Sequence, residues 1–430
     1  MKQKLLLIAV TLIAVAGVVA IGLPSLDPGH EQTQSVDEGT VDEAIELASD
    51  YLVRHCDENG QFVYKVNMNP KVSVRPQYNI IRHAGAIYAL AKSQSRQPTD
   101  DKRNALRRAV AFMRQQTVGS VPDQQDMMAV WSRFEAADLN RPVSAKLGGT
   151  GLGLAALVSV EQVEPGTVPL EELQAMGRFL VYMQKSDGSF YSKFMPGKIG
   201  RDDSWQSLYY PGEAALGLVM LYEIDPQPVW LEHAAMAVAY LARVRQEAEV
   251  VEADNWALLA TARLWPLCDQ CNPPLPRVTL SRHAAKVCRQ ILKDHREADP
   301  HTASLGGLAA GGRTCPTATR LEGLTAALSF LPEEETVLRA EILKVIEPGI
   351  GFLQHCQVKD GPYAGGVPRA VQPPESPKQT VVNSSPREER RRTEIRIDYV
   401  QHAMNAMIQW DALRKNNTKP KKEYRQAQLP

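Results

Sequence analysis

The sequence lacks an excess of charge of either sign: Lys and Arg together number 49, and so do Asp and Glu. A global field that would attract nucleic acid or repel an acidic polymer is excluded, so partner choice falls to local groups. Cysteine is scarce too. The six present, Cys56, Cys268, Cys271, Cys288, Cys315 and Cys356, are too few to build a disulfide scaffold in a chain of 430 residues. Cys268-Asp269-Gln270-Cys271 has the spacing of half a metal site, with Cys288 and Cys315 as distant partners, but no second close pair follows. No metal and no cofactor is assigned. Alternation of apolar and polar residues at strand period is nearly absent, which points to an all-α chain.

What is present begins with an uncharged run from Leu5 to Leu23 behind Lys2 and Lys4, long enough to span a bilayer. Asp27, Glu31, Asp37, Glu38, Asp42 and Glu43 follow it, the bias expected for an N-terminus held inside. Residues 1–25 are therefore expected to be a membrane anchor or signal segment, and 26–40 a linker. Ala14-Val15-Ala16 offers a cleavage site that would make the protein secreted instead. Either reading puts the remainder outside the cytoplasm, periplasmic or at the cell surface.

An internal repeat is the strongest signal. Tyr51-Leu52, Cys56, Gly60 and Phe62 share one spacing with Phe179-Leu180, Gln184, Gly188 and Phe190, and with Phe352-Leu353, Gln357, Gly361 and Tyr363. Each copy reads as a helix that buries an aromatic-aliphatic pair, ends near the Gln or Cys, turns on glycine and packs an aromatic back on itself. Repeated helix ends imply repeated hairpins.

Helical periodicity, punctuated by Pro, Gly and polar clusters, predicts twelve helices. Outer ones, charged along one face, are expected near 42–55, 100–116, 168–184, 228–246, 279–295 and 335–356. Inner ones, rich in Ala, Gly and Leu nearly all round, are expected near 79–94, 148–161, 210–223, 254–265, 317–330 and 397–414. The fold class is thus an (α/α)6 toroid of six hairpins over 41–414. Residues 368–392 read as a disordered insertion and 415–430 as a basic tail, their charge solvated rather than bound to nucleic acid. If the first and sixth outer helices close the ring, Cys56 and Cys356 meet there and are candidates for a disulfide.

The connections from outer to inner helix are long, so the loops gather over one pole, where every inner helix also presents its N-terminus. Candidate chemistry collects there: Tyr78, Asn79, Arg82 and His83 at the first inner helix, Tyr210 and Glu213 at the third. Asp254 and Trp256 stand at the fourth, Arg320 at the fifth, and Arg396, Asp398 and His402 at the sixth. Asn79 with His83, and Asp398 with His402, are spaced to share a helix face, the first member fixing the second's tautomer. Ring closure would bring His83 and His402 to one wall as an acid/base pair, with Glu213 and Asp254 adding carboxylates. Arg82, Arg320 and Arg396 suit carboxylate or sulfate groups, and Tyr78, Tyr210 and Trp256 suit sugar faces. The same residues also have structural readings, as caps and as hairpin locks such as Arg320 with Glu322 or Glu213.

The repeated spacing resembles the QW-type motif of squalene and terpenoid cyclases, with Gln184 and Gln357 in place and Phe or Tyr for the terminal Trp. It implies hairpin packing rather than activity; the cyclases' Asp-rich motif is not matched, since Asp202-Asp203 stands alone. Asp269-Gln270-Cys271 is similar to part of the zinc site of protein prenyltransferases, without a placed third ligand. The six-hairpin count with polar inner-helix starts resembles the (α/α)6 carbohydrate-active enzymes: glycosidases, unsaturated-uronyl hydrolases, polysaccharide lyases and sugar epimerases. That resemblance implies a hydrolase, lyase or epimerase acting on a saccharide or surface polysaccharide by general acid/base chemistry. The other readings are a non-catalytic glycan- or protein-binding toroid and a cyclase- or prenyltransferase-like enzyme.

Overall fold

In a computed structural model of the chain, residues 38–133, 143–197, 199–297, 300–371 and 386–418 are described. The anchor or signal expected at 1–25 lies outside them, as does most of the linker; among the described residues no helix is long and apolar enough to cross a membrane.

Where the inner helices begin, the sequence supplies the caps. Asn79 opens α2 (Ile80–Arg96) by accepting from the backbone N–H groups of Ile81 and Arg82, at 2.9 and 3.3 Å, and Asp254 opens α8 (Asn255–Leu264) by accepting from Ala257 N at 3.0 Å. The remaining inner helices are α4 (Leu147–Val163), α6 (Tyr210–Ile224), α11 (Thr314–Leu328) and α14 (Ile397–Thr418). Each packs on the next, and α14 returns to α2, so the inner layer is a closed ring. Small residues set its spacing. A Cβ at Gly151 of α4 would stand 2.6 Å from Ala214 N, and one at Gly217 of α6 would stand 2.5 Å from Gly151 O, so these backbones touch without side chains between them.

The outer layer is α1 (Glu38–Arg54), α3 (Asp100–Gln116), α5 (Leu170–Tyr182), α7 (Pro228–Gln246), α9 (Arg277–Arg296) and α12 (Thr336–Cys356). These bury one face on the ring and keep charge outside, as where Arg103 and Arg107 of α3 pair with Glu164. All twelve helices fall within a few residues of their expected positions. Two short helices, α10 (Pro300–Ser304) and α13 (Pro386–Arg392), lie in the connections.

The connections also carry strands that the period analysis does not find, because nearly all are only two to four residues long. β1 (Lys65–Asn67) pairs antiparallel with β7 (Glu394–Arg396), tying the first hairpin's loop to the last and closing the ring over the pole. β4 (Ala145–Lys146), β5 (Lys193–Met195) and β6 (Gly200–Asp202) join the second and third loops. β2 (Val118–Val121) and β3 (Gln124–Val130) form a hairpin that packs on α5. The ends of the insertion expected to be disordered are folded: Ala370 bridges Arg313, Pro368 bridges Ile395, and 386–392 is helical, while 372–385 lies outside the described residues. The first residues of the expected basic tail belong to α14, which runs to Thr418.

The repeat has a definite role, with one correction. Gln184 Nε2 donates to His233 O on the next outer helix at 3.0 Å, and Gln357 Nε2 donates to Ala44 O at 2.8 Å. The thiol of Cys56 points at Ala105 O, 3.7 Å away. Three residues further along each partner helix, a glycine at positive φ presses on a carbonyl: Gly60 on Arg108 O, Gly188 on Met236 O, and Gly365 on Leu47 O. In the third copy the turn is four residues longer, so Gly365 fills this place rather than Gly361, whose missing Cβ would meet nothing within 4 Å. The same geometry overturns the disulfide: all six thiols are free, and Cys56 faces α3 rather than Cys356. Among the described residues no group of His, Cys, Asp and Glu is arranged to hold a metal ion.

Candidate active site

The N-terminal ends of the inner helices surround a cavity of about 360 Å³, within the range of small-molecule sites, roughly 300–1,000 Å³. Of the expected residues, Asn79 and Arg82 reach it from α2, Tyr210 and Glu213 from α6, and Trp256 from α8. Arg396, Asp398 and His402 complete the set.

Asp398 is gripped by two arginines. Arg82 Nε lies 2.9 Å from its Oδ2, while Arg396 takes both oxygens, Nε to Oδ1 at 2.5 Å and Nη2 to Oδ2 at 2.8 Å. Burial would raise its pKa, but Arg82 and Arg396 outweigh that and hold the carboxyl below its ordinary value. Arg82 also donates to the Tyr64 hydroxyl. Asp398 is thus a fixed anion that orients two cations.

His402 turns Nδ1 to Glu322 Oε2 at 3.0 Å and sets its ring edgewise on Trp256, centroids 6.0 Å apart. Burial lowers its pKa, yet the Glu322 and Asp398 carboxylates prevail and the ring keeps its proton to higher pH than an ordinary histidine. With Nδ1 engaged, Nε2 is the nitrogen left for a ligand. Glu213 has the opposite surroundings. It is buried, its Oε2 has no hydrogen-bond partner, and burial first, then the charge of Asp254, raises its pKa well above the carboxylate norm. Gly148 makes the room: a Cβ there would stand 2.1 Å from Glu213 Oε2.

Two more buried acceptors without partners, Asn255 Oδ1 and Gln401 Oε1, line the same cavity. Leaving a buried polar atom unpaired costs roughly 1–3 kcal/mol. Three around one cavity mark a place built for a polar guest. Tyr210 extends the wall toward solvent, meeting Trp205 edge-on at 5.7 Å, and Trp205 is 55% exposed at the rim.

Four expected residues lie off the cavity. His83 is fully buried between α2 and α3, Nδ1 2.7 Å from the Tyr78 hydroxyl and Nε2 3.0 Å from Ala109 O, its ring among Phe62 and Phe112. It shares no wall with His402, and Tyr78, which also accepts from Phe62 N at 3.1 Å, is spent on holding it. Asp254 caps α8 and pairs with Arg245 at 2.7 Å. Arg320 binds Leu308 O and Asp294, both at 2.8 Å, and so locks α11 to α9; Asp294, not Glu322 or Glu213, is its carboxylate partner. Neither spaced pair fixes a tautomer as expected, since Asn79 caps its own helix and His402 takes its hydrogen-bond partner from α11, Asp398 acting on it only through its charge. Asn255 and Gln401 are not singled out by the sequence, and Glu322 enters it only as a lock; a carboxylate buried midway along an inner helix is the signal that points to it.

No protein-family model matches the sequence, and no curated protein does. Solved structures do match in fold. A D-mannose isomerase aligns with TM-score 0.62 at 11% identity, covering 88% of this chain and 98% of that one. Cellobiose 2-epimerase from Bacillus thermoamylovorans B4167 aligns with TM-score 0.62 at 11% identity, covering 87% and 100%. The alpha-1,6-mannanase of Salegentibacter sp. HEL1_6 aligns with TM-score 0.57 at 12% identity, covering 88% and 100%. The described chain is an (α/α)6 toroid with the six-hairpin architecture of these proteins.

Proposed function

We propose that the protein is an enzyme acting on a saccharide by general acid/base chemistry in the polar-end cavity. The observation that carries this reading is the convergence of three unpaired buried acceptors, Glu213 Oε2, Asn255 Oδ1 and Gln401 Oε1, on a cavity walled by Trp256 and Tyr210. Hydroxyl groups of a sugar supply donors to such acceptors, and its apolar face suits the aromatic walls. The fold is shared with proteins whose names are an isomerase, an epimerase and a mannanase for sugars.

In this reading His402, holding a proton through Glu322, is the general acid, and Glu213, whose proton affinity burial has raised, is the base. Asp398 with Arg82 and Arg396 fixes the polar floor. His83 and Asp254, candidates from the sequence, take structural roles. A cyclase-like reading fits poorly with walls that carry arginine, carboxylate and amide groups.

The reading is tested by incubating the purified protein with neutral and uronate-containing oligosaccharides and following cleavage, elimination and isomerisation by NMR. Turnover that disappears in both Glu213→Gln and His402→Ala supports it; absence of turnover and of saccharide binding across the panel overturns it. We further propose that the work is done outside the cytoplasm, on the strength of the apolar run from Leu5 to Leu23 and its flanking charges. Recovery of the native protein solely in the cytosolic fraction would refute that.

A further inference from the structure

Where the inner helices end, a second cavity of about 330 Å³ lies between them, lined by Tyr88 and Lys92 of α2, Arg263 of α8, Thr325 of α11 and Gln409 of α14. It is set below the candidate site along the ring. Trp256 and Arg263 on α8, like His402 and Gln409 on α14, are seven residues apart, two helical turns or roughly 10 Å. In each pair the first residue lines the candidate site and the second lines this cavity. Tyr88 of the one packs on Trp256 of the other, with ring centroids 6.4 Å apart.

Two buried polar atoms of the lining, Thr325 Oγ1 and Gln409 Oε1, have no hydrogen-bond partner. Thr325 is the more telling, because its side chain is 95% buried, with 5% of the residue exposed. A hydroxyl inside a helix commonly satisfies itself on the carbonyl four residues back. Thr261 does so on Ala257 O at 2.7 Å, and Ser159 on Ala155 O at 2.8 Å, in two other inner helices. Thr325 does not, and an unpaired buried hydroxyl is costly. The charged groups of the lining are engaged elsewhere. Arg263 Nη1 donates to both oxygens of Glu223, at 2.8 and 2.5 Å, and Lys92 Nζ lies over the Tyr88 ring, 4.8 Å from its centroid. These two cations would repel a third, while the partial negative charge at the ends of the inner helices disfavours an anion. Leu216, Leu259 and Leu413 make the remaining wall apolar. A guest that fits carries no charge, supplies hydroxyl donors and presents a carbon face.

We propose that this cavity is a second binding site, for a small neutral polyhydroxylated molecule the size of a monosaccharide or alditol. Thr325 and Gln409 engage its hydroxyl groups, and the leucines take its carbon face. The site is separate from the acid/base groups, so it does not depend on the chemistry proposed for the first cavity.

The test is calorimetric titration of the full chain with neutral monosaccharides, an alditol, cyclohexanol and inorganic sulfate, repeated on Thr325→Val, Thr325→Ser and Ala412→Trp. Ala412 lines the cavity and is exposed, so Ala412→Trp blocks the space without entering the core. A monosaccharide or the alditol should bind the wild type, bind Thr325→Val at least about 10-fold more weakly, and not bind Ala412→Trp. Thr325→Ser keeps the hydroxyl and should keep most of the affinity. Thr325→Val should melt no lower than the wild type, since it removes an unpaired buried group, so weaker binding there does not come from unfolding. Binding should also persist in Glu213→Gln, whose change lies in the other cavity. Failure of the acid/base reading would appear as absent turnover and leave this binding in place. The second site is overturned if no neutral polyol binds, if full affinity survives either Thr325→Val or Ala412→Trp, or if binding is lost in Glu213→Gln. Cyclohexanol or sulfate binding as tightly as the sugars would overturn it too.

Discussion

Oε2 of Glu322, on α11, lies 3.0 Å from Nδ1 of His402, on α14, and accepts from Asn255 Nδ2, on α8, at the same distance. One carboxylate thus organises two neighbouring inner helices at the cavity. Because burial works against a charged imidazole, it is this anion, with Asp398, that raises the pKa of His402 above the ordinary histidine value.

Glu322→Gln should therefore move the alkaline limb of the kcat/KM profile to lower pH, since the charge that favours the proton is lost while an acceptor for Asn255 remains. The stability effect has a sign. A histidine whose folded pKa is raised contributes stability that is fully present below its unfolded value near 6.5 and is lost as pH rises through the folded value. Thermal melts across that range should show the loss in the wild type and not in Glu322→Gln. An unmoved alkaline limb would remove His402 from the role of acid.

For Glu213 stability changes with pH in the same direction, but replacing the group has a different effect. Its folded pKa is raised by burial, so the fold is at its best with respect to this group below the ordinary carboxylate value and loses stability as pH rises toward the folded value. Glu213→Gln removes that cost, and near neutral pH it should melt at the same temperature as the wild type or higher. Turnover should fall by roughly 10²-fold or more, the usual contribution of a positioned acid or base. A variant that is destabilised yet active would reverse the assignment.

His83 should behave as a lock. Burial pushes its pKa down to about 4, so its neutral form contributes stability that is complete above about 6.5 and is lost as pH falls toward the folded value. Replacing it by Ala leaves the Tyr78 hydroxyl and Ala109 O without it and opens a void beside Phe62 and Phe112. A loss of roughly 2–4 kcal/mol is expected in denaturant titrations, with less acid sensitivity than the wild type. The sugar-binding constant of the folded fraction should be unchanged.

The fold was legible because helix period, glycine turns and proline breaks are local, and the inner layer is apolar nearly all round. What the sequence hid is azimuth. Asn79 and His83 are spaced to share a face, yet His83 packs against α3 and meets Ala109 O, while Arg82, one residue earlier, reaches Asp398 on the neighbouring inner helix α14. Partners such as Glu322 for His402 are long-range, and no single-helix pattern reports them. The short strands at the pole and the lengthened turn after Gln357 escape for a related reason: they are set by pairing between distant loops, as β1 is with β7.

The lengthened turn yields a paired test. Gly365 has φ +85° and no room, since a Cβ there would stand 1.8 Å from Leu47 O; Gly361 has φ +76° and open space around it. Both Ala variants carry the strain of a left-handed backbone, on the order of 1 kcal/mol, but only Gly365→Ala must also push α1 away. Its melting temperature should fall well below that of Gly361→Ala. Equal losses would mean that the third copy of the repeat docks through the sequence-equivalent glycine after all.

Two tryptophans separate binding from architecture at the proposed site. Trp205 stands exposed at the rim with its edge on Tyr210, and nothing in the core depends on it, so Trp205→Ala should leave the melting temperature within about 2 °C and kcat intact while raising KM. Trp256 is buried between Tyr88, centroids 6.4 Å apart, and His402. Trp256→Ala should cost roughly 3–5 kcal/mol, and even the folded fraction should lose kcat, because the wall that holds the His402 ring is gone. Trp256→Phe restores much of the packing but a smaller ring face, so it should recover stability before it recovers turnover. Saccharide-dependent change of tryptophan fluorescence should persist in part in each single variant, since either indole reports on the cavity. Its complete absence from the wild type with every sugar that is turned over would place the reacting sugar elsewhere.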